Sequence, residues 1–237
     1  MELNRYIDHT LLKADATPEQ IAKLCAEAKE YRFASVCVNS CYVPLAAKLL
    51  SGTDTKVCCV VGFPLGACLS EAKVAETRLA VEAGAEEVDM VINIGMAKAG
   101  DWVYVRKDIA AVAAAAHPKA IVKVIIECCL LTDDEKVTAC LMAKEAGADF
   151  VKTSTGYGTA GAKIADVALM RRTVSDRVRV KASGGIRNLD TVLSCRAVGA
   201  ARCGVSATEA IMEEAIRREQ EGTLVMPENL TEMNGGY

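Results

Sequence analysis

Aromatic residues are scarce in this chain, with one Trp, six Tyr and three Phe among 237 positions, and there are only two histidines. So few rings offer no platform on which nucleic-acid bases would stack. Lys+Arg at 28 against Asp+Glu at 31 leave a net charge of −3, which gives no electrostatic case for DNA or RNA. Long apolar runs are missing too. The stretch from Ile109 to Ala116 falls well short of the ~20 residues a helix needs to cross a bilayer. The first twenty residues carry charges at Glu2, Arg5, Asp8, Lys13 and Asp15 and lack the apolar segment of a secretory signal. Cysteine is not scarce, but its eleven copies include no C-x-x-C pair of zinc or redox spacing. An odd number of thiols, with Cys58, Cys59 and Cys128 inside strand-like runs, reads as free cysteine in a reducing cytoplasm. The expected partner is a small molecule, with neither nucleic acid nor membrane.

No linker or low-complexity tract divides the sequence. Short β-rich runs alternate with amphipathic segments of ten to fifteen residues. The strand candidates are Tyr6–Asp8, Ser35–Val38, Lys56–Gly62, Glu87–Ile92, Ile121–Glu127, Phe150–Thr153, Val178–Ala182 and Arg202–Gly204, several of them apolar at nearly every position, as strands buried on both faces must be. Helices are expected at Pro18–Glu30, Tyr42–Leu50, Ser70–Ala83, Trp102–Ala115, Asp133–Ala146, Ala165–Thr173, Leu189–Val198 and Thr208–Glu221, with start signals at Thr17-Pro18-Glu19-Gln20, Ser70-Glu71 and Thr132-Asp133-Asp134-Glu135. Gly84, Gly147 and Gly199 each close a helix, and five residues beyond them lie Asp89, Lys152 and Gly204. The pairs Val122-Lys123, Val151-Lys152 and Val180-Lys181 recur at intervals of 29 residues, about one βα unit. Eight strands, eight helices and a repeating unit predict a single-domain (β/α)8 TIM barrel, an α/β fold, with residues 221–237 as a mobile tail. The alternative, a doubly wound open sheet, calls for a dinucleotide-type glycine turn after an early strand, and no early strand here is followed by one.

Charged residues sit where strands should be dry. Asp89 lies in Val88-Asp89-Met90-Val91, Lys123 in Val122-Lys123-Val124, Lys152 in Phe150-Val151-Lys152 and Lys181 in Val180-Lys181-Ala182. Removing such charges from water costs several kcal/mol each unless they are paired or neutralised. One such lysine would be read as solvent-facing or as half of a structural ion pair with Asp89. Three on consecutive strands at equal spacing point instead to a shared site at the barrel mouth. Crowded ammonium groups repel, which favours an uncharged amine, and an uncharged lysine amine attacks carbonyls to form an imine. The loops that follow are polar and glycine-rich: Thr153-Ser154-Thr155-Gly156 after Lys152, Ser183-Gly184-Gly185 after Lys181, and Gly204-Val205-Ser206 after the last strand. Backbone N–H groups in such loops hold phosphate in barrels of this kind.

The runs Ile7-Asp8-His9-Thr10-Leu11-Leu12, Glu87-Val88-Asp89, Lys123-Val124-Ile125-Ile126-Glu127, Phe150-Val151-Lys152-Thr153-Ser154-Thr155-Gly156 and Val180-Lys181-Ala182-Ser183-Gly184-Gly185-Ile186-Arg187 resemble the bacterial deoxyribose-phosphate aldolase family, in the same order from Asp8 to Ser206. The family is one of class I aldolases on a (β/α)8 barrel. The resemblance implies reversible cleavage of 2-deoxy-D-ribose 5-phosphate to acetaldehyde and D-glyceraldehyde 3-phosphate, with no metal or other cofactor. Barrels of this size often pair through their outer helices, so a homodimer or homotetramer is expected. The resemblance also implies a Schiff base on Lys152, with Lys181 perturbing that amine and moving protons and Asp89 relaying them. It places Asp8 and Lys123 in the same polar network and Cys37 near the pocket, where Cys37 reads equally well as a small core residue. Thr155, Gly156, Gly184, Gly185, Gly204 and Ser206 fall on the substrate and phosphate side. Ala207 and Tyr157 depart from the family pattern, which has a second serine and, in some relatives, a lysine at these positions; both changes are expected to weaken phosphate binding. A terminal Tyr237 reaches over the site in some relatives. Two other readings are a sugar-phosphate isomerase on the same barrel, which would need a carboxylate or histidine base, and a sugar-phosphate-binding protein with a degenerate site.

Overall fold

The computed structural model describes residues 2–227 and 230; the expected tail motif Asn234-Gly235-Gly236-Tyr237 lies outside them. Eight parallel strands close into a barrel in sequence order: β1 (Ile7–Leu11), β2 (Ser35–Val38), β3 (Lys56–Val61), β4 (Glu87–Val91), β5 (Ile121–Ile125), β6 (Phe150–Lys152), β7 (Arg179–Ser183) and β8 (Ala200–Val205). The expected (β/α)8 architecture is therefore present. Around the barrel run α1 (Pro18–Tyr31), α2 (Val43–Leu50), α3 (Ser70–Glu82), α4 (Ile94–Lys98), α5 (Trp102–Ala116), α6 (Asp133–Glu145), α7 (Ile164–Val174), α8 (Leu189–Ala197) and α9 (Thr208–Gln220). None of the described helices is long and apolar enough to cross a membrane.

The main core fills the layer between barrel and helices, where residues such as Ile21, Phe33, Ile109, Val112 and Val167 are wholly buried against the outward faces of the strands. Each aliphatic side chain so buried contributes about 1.5–3 kcal/mol by leaving water. Helix starts follow the expected chemistry at α1 and α6, where Thr17 with Gln20 and Thr132 with Glu135 form reciprocal capping boxes. At α3 the expectation fails: Leu69 occupies the cap position, and Ser70 turns its hydroxyl to Asp108 at 2.7 Å. The three glycines that end α3, α6 and α8 all adopt positive φ, at 109°, 88° and 101°.

The ends of β1 and β8 depart from the sequence reading for one reason, neighbour pairing. β1 was expected at Tyr6–Asp8, but Leu3–Tyr6 forms a 3-10 turn and the strand runs on through His9 and Thr10 to Leu11. Polar composition argues against strand there, yet β1 pairs on both sides, with β2 and with β8, and closure of the barrel decides the matter. β8 likewise extends beyond Arg202–Gly204 at both ends. The five-residue α4 was not anticipated, being too short to show helical periodicity; Asn93 caps it by accepting from the Met96 N–H at 3.1 Å.

Candidate active site

Strand register brings the charged residues together. Directly paired residues on neighbouring parallel strands share a face, so the pairs Asp89 with Lys123, Lys152 with Lys181, and Lys181 with Arg202 set these side chains side by side inside the barrel, and Asp8, paired with Gly204, faces the same interior. A one-residue bulge between β7 and β8 advances the register at Val180/Lys181, and this shift is what aligns Lys181 with Arg202. Residues two apart on a strand also share a face, which places Glu87 directly below Asp89.

Asp89 is the centre of the cluster. Its Oδ2 accepts from Lys152 Nζ and from Lys181 Nζ, each at 2.7 Å, so the two amines lie within twice that distance of one another. Its Oδ1 accepts from Lys123 Nζ at 2.8 Å and from the Cys58 thiol at 3.2 Å. Lys181 also reaches Asp8 Oδ2 at 2.6 Å, and Lys123 reaches Glu87 Oε2 at 2.6 Å. Arg202 closes the lower side, with Nε donating to Asp8 Oδ1 at 2.6 Å and Nη2 donating to Glu87 Oε2 at 2.8 Å. Asp8, Asp89, Lys123 and Lys181 are wholly buried. Burial works against the charge of Asp89, but Lys123, Lys152 and Lys181 outweigh it and hold the carboxyl well below the usual range. Burial likewise disfavours charged Lys181 and Lys123, yet Asp8 and Asp89 for the first, and Asp89 with Cys58 and Glu87 for the second, hold both above the ordinary lysine value. The expected crowd of repelling ammonium groups is therefore a compensated network: four cations, Lys123, Lys152, Lys181 and Arg202, against three carboxylates, Asp8, Glu87 and Asp89. Loss of one proton leaves it electrically balanced. Lys152 is the cation with one carboxylate contact, to Asp89, where Lys123, Lys181 and Arg202 each engage two or more.

Above the cluster opens a cavity of about 350 Å³ at the C-terminal ends of the strands. Of Lys123, Lys152 and Lys181, only Lys152 lines it. Thr155, Gly156, Gly184, Gly185, Gly204 and Ser206, all expected on the substrate side, line it as well. Asp8, Asp89, Lys123, Lys181 and Cys37 lie beneath or beside it and are not among its lining residues; Cys37 packs with Cys58 and Val60 in a small apolar cluster inside the barrel. Lys13 and Arg187 bring two cationic side chains to the rim. Ala207, the N-cap of α9, supplies no side-chain hydrogen bond there.

The loop after β6 is held from two sides. Glu127, buried and at a left-handed φ of 55°, accepts from the Thr155 hydroxyl and from the Thr155 N–H at 3.3 Å. Ala162 N–H donates to Ser183 O and Gly184 O, both at 3.1 Å. The segment Gly156-Tyr157-Gly158-Thr159-Ala160-Gly161 has the glycine spacing of a dinucleotide turn, but it follows the sixth strand; Gly156 serves a positive φ of 96°, and Gly158 and Gly161 serve close packing. A Cβ at Gly161 would lie 2.2 Å from Gly184 O, and one at Gly158 would lie 2.7 Å from Cys129 Sγ.

The sequence reading assigned no role to Glu87, Arg202, Glu127 or Lys13. The signal for Glu87 was available, two residues before Asp89 on the same strand; Arg202 stands in the same relation to Gly204. No carboxylate or imidazole lines the cavity among the described residues, which counts against an isomerase base. His9 points outward, with Nε2 2.6 Å from Glu27 Oε2 and Nδ1 2.9 Å from Thr208 Oγ1. His117 pairs with Asp149 at 2.9 Å, outside the cavity. Cys37, Cys58 and Asp89 bring three ligand-type atoms within 4.8 Å of one another. Asp89 already accepts from three ammonium groups, so a divalent cation there would face three like charges at close range.

A closed parallel barrel with lysines under an open mouth is an enzyme scaffold, and comparison with known proteins supplies its class: it is an aldolase, a carbon–carbon lyase. The chain belongs to the DeoC/LacD family of aldolases, whose family model matches residues 3–213. A curated relative, deoxyribose-phosphate aldolase of Clostridium tetani, is 58% identical over 215 residues, covering 91% of this chain and 100% of that protein. Deoxyribose-phosphate aldolase of Streptococcus gordonii is 59% identical over 213 residues, 90% of this chain and 96% of the relative. Among solved structures, the tetrameric deoxyribose phosphate aldolase from Aeropyrum pernix superposes with a TM-score of 0.84 at 33% identity, covering 91% of both chains.

Proposed function

We propose that the chain reversibly cleaves 2-deoxy-D-ribose 5-phosphate to acetaldehyde and D-glyceraldehyde 3-phosphate through a Schiff base on Lys152. The observation that carries the proposal is that Lys152 alone of the three clustered lysines opens to the cavity, while sharing Asp89 Oδ2 with the buried, charged Lys181. The uncharged amine of Lys152 adds to C1 of the open-chain sugar, and loss of water gives an iminium. Removal of the C3 hydroxyl proton then breaks the C2–C3 bond. The electron pair moves into the iminium to form an enamine, and glyceraldehyde 3-phosphate departs. Protonation of the enamine carbon and hydrolysis return acetaldehyde and the free lysine. Asp89 and Lys181, both within hydrogen-bond reach of one another and of the Lys152 site, carry protons during the carbinolamine and enamine steps, with general acid–base help worth about 10²–10⁴-fold. Lys13, Arg187 and the backbone N–H groups of Gly184, Gly185, Gly204 and Ser206 receive the phosphate at the rim.

The same proposal includes self-association into a dimer or tetramer, as the name of the Aeropyrum pernix structure describes for that protein, and a reducing cytoplasmic setting, which suits eleven free thiols. Acetaldehyde release from deoxyribose 5-phosphate, coupled to alcohol dehydrogenase, tests the reaction. Wild type is expected to turn over and Lys152→Ala to lose turnover; absence of acetaldehyde from wild type would remove the proposal.

A further inference from the structure

The cavity is lopsided. Its walls come from residues at and after the ends of β1, β6, β7 and β8, and none comes from β2 to β5. In that other half of the barrel lie Cys37, Cys58 and Val60, an apolar patch covered by the partly buried side chains of Leu12 and Phe63. Tyr157 connects the two halves. It is carried by the loop after β6, a strand that borders neither β1 nor β3, and yet its Oη donates to Leu12 O at 2.7 Å and its ring meets Phe63 edge-on at 5.5 Å and 89°. The side chain must therefore cross the mouth. Its base is fixed, since Tyr157 N–H donates to Thr155 Oγ1 at 3.0 Å and Thr155 is held by buried Glu127. The residue is 54% exposed and lines the cavity, and its ring stands against Phe63, which packs on the apolar patch.

We infer that Tyr157 is a partition across the barrel mouth and a specificity-determining residue. By walling the β2–β3 half off from the cavity, it excludes acceptor aldehydes whose apolar tails are longer than a three-carbon sugar phosphate. The inference rests on the aldolase reading above and names the acceptor class that reading leaves open. An apolar tail has no use for the polar, cationic rim at Lys13 and Arg187; the surface complementary to it is the Cys37, Cys58 and Val60 patch, which stands behind Leu12 and Phe63. Truncating Tyr157 removes the aromatic contact with the Phe63 ring and the hydrogen bond to the Leu12 backbone carbonyl, and so the link between the loop after β6 and the two residues that cover that patch. The opened space is bordered by Leu12, Phe63, Cys37 and Val60, with the Cys58 thiol turned to Asp89, and that apolar border favours an alkyl chain over water.

Two readouts test this. The first is the ratio of kcat/KM for hexanal to that for D-glyceraldehyde 3-phosphate, with acetaldehyde as donor, because the shared donor steps cancel. Tyr157→Ala is expected to raise the ratio about tenfold or more, in line with what a few methylenes in an apolar pocket are worth. Tyr157→Phe, which keeps the ring against Phe63 and loses the bond to Leu12, is expected to raise it by less. The second is labelling by iodoacetamide, resolved to the residue by fragment ions because Cys37 and Cys41 lie between the same two tryptic sites, Arg32 and Lys48. Exposed Cys41 and Cys68 should react in every variant, whereas buried Cys37 should be protected in wild type and become labelled in Tyr157→Ala. An unchanged ratio in Tyr157→Ala, or a raised ratio with Cys37 still protected, overturns the partition. If wild type forms no acetaldehyde adduct at Lys152, the aldolase reading fails by itself, and Cys37 labelling still decides whether Tyr157 shields the second half of the barrel.

Discussion

Asp89→Asn changes almost no volume and removes the one negative charge that Lys123, Lys152 and Lys181 share. The cluster then holds four cations against two carboxylates, with Asp8, Lys123 and Lys181 wholly buried and the Arg202 side chain 12% exposed. One carboxylate oxygen also becomes an N–H donor facing ammonium groups that need an acceptor. Deleting one partner from a buried ion network costs about 3–5 kcal/mol, because the remaining charges stay desolvated without their counterion. The pH dependence carries a sign that a simple packing defect would not. In wild type, Asp8 and Asp89 are held below the usual carboxylate range, so their contribution is present above about pH 4 and is lost as pH falls toward their folded values. Lys123 and Lys181 are held above the ordinary lysine value, so theirs is present below about pH 10 and is lost as pH rises through the folded values. Between these limits the cluster itself adds no slope to wild-type stability; His9, held below its ordinary value by burial, adds a separate loss as pH falls below 6.5. In Asp89→Asn the excess positive charge is relieved by releasing a proton, so the folded state binds fewer protons than the unfolded one and stability rises with pH. Urea unfolding at pH 7 and pH 9, with circular dichroism as the probe, should show a deficit of about 3–5 kcal/mol at the lower pH that narrows at the higher. A deficit below about 1 kcal/mol, or one that widens with pH, would refute the reasoning.

Two other predictions concern neighbouring devices. Gly161→Ala sets a methyl 2.2 Å from the Gly184 carbonyl oxygen and must displace the loop that lines the cavity. It should cost about 1–3 kcal/mol and raise KM for deoxyribose 5-phosphate more than it lowers kcat, as steady-state kinetics would show. Lys73, wholly buried, donates to Asp108 at 2.6 Å and to Val91 O at 2.9 Å, tying α3 and α5 to the end of β4. Lys73→Met should lose about 3–5 kcal/mol, and adding Asp108→Leu should recover most of it, because replacing both charges removes the uncompensated one; equal instability of the single and double variants in urea would contradict this.

Much of the barrel could be read from local signals, since helix-ending glycines, capping boxes and runs of buried strand residues are all encoded within a few positions. What local signals could not supply were outcomes of closure: the length of β1, set by pairing on both sides, and the bulge that brings Arg202 level with Lys181. The site divides along the same line. Lysines spaced one βα unit apart announce neighbours on successive strands, and that spacing found Lys123, Lys152 and Lys181. Their repulsion alone was the wrong electrostatic picture, because Glu87, at the start of β4, and Arg202, within β8, complete the compensation. Tyr157 read as a departure from a family pattern. Its contacts with Leu12, 145 positions away, and with Phe63 exist only once the barrel closes.

The most direct measurement is borohydride trapping with acetaldehyde followed by peptide mass spectrometry. If the cavity-lining amine captures the aldehyde, reduction leaves a stable two-carbon ethyl group on the peptide that contains Lys152, and the label disappears in Lys152→Ala. No label in the wild-type protein, or the same label in Lys152→Ala, would contradict covalent catalysis at this lysine.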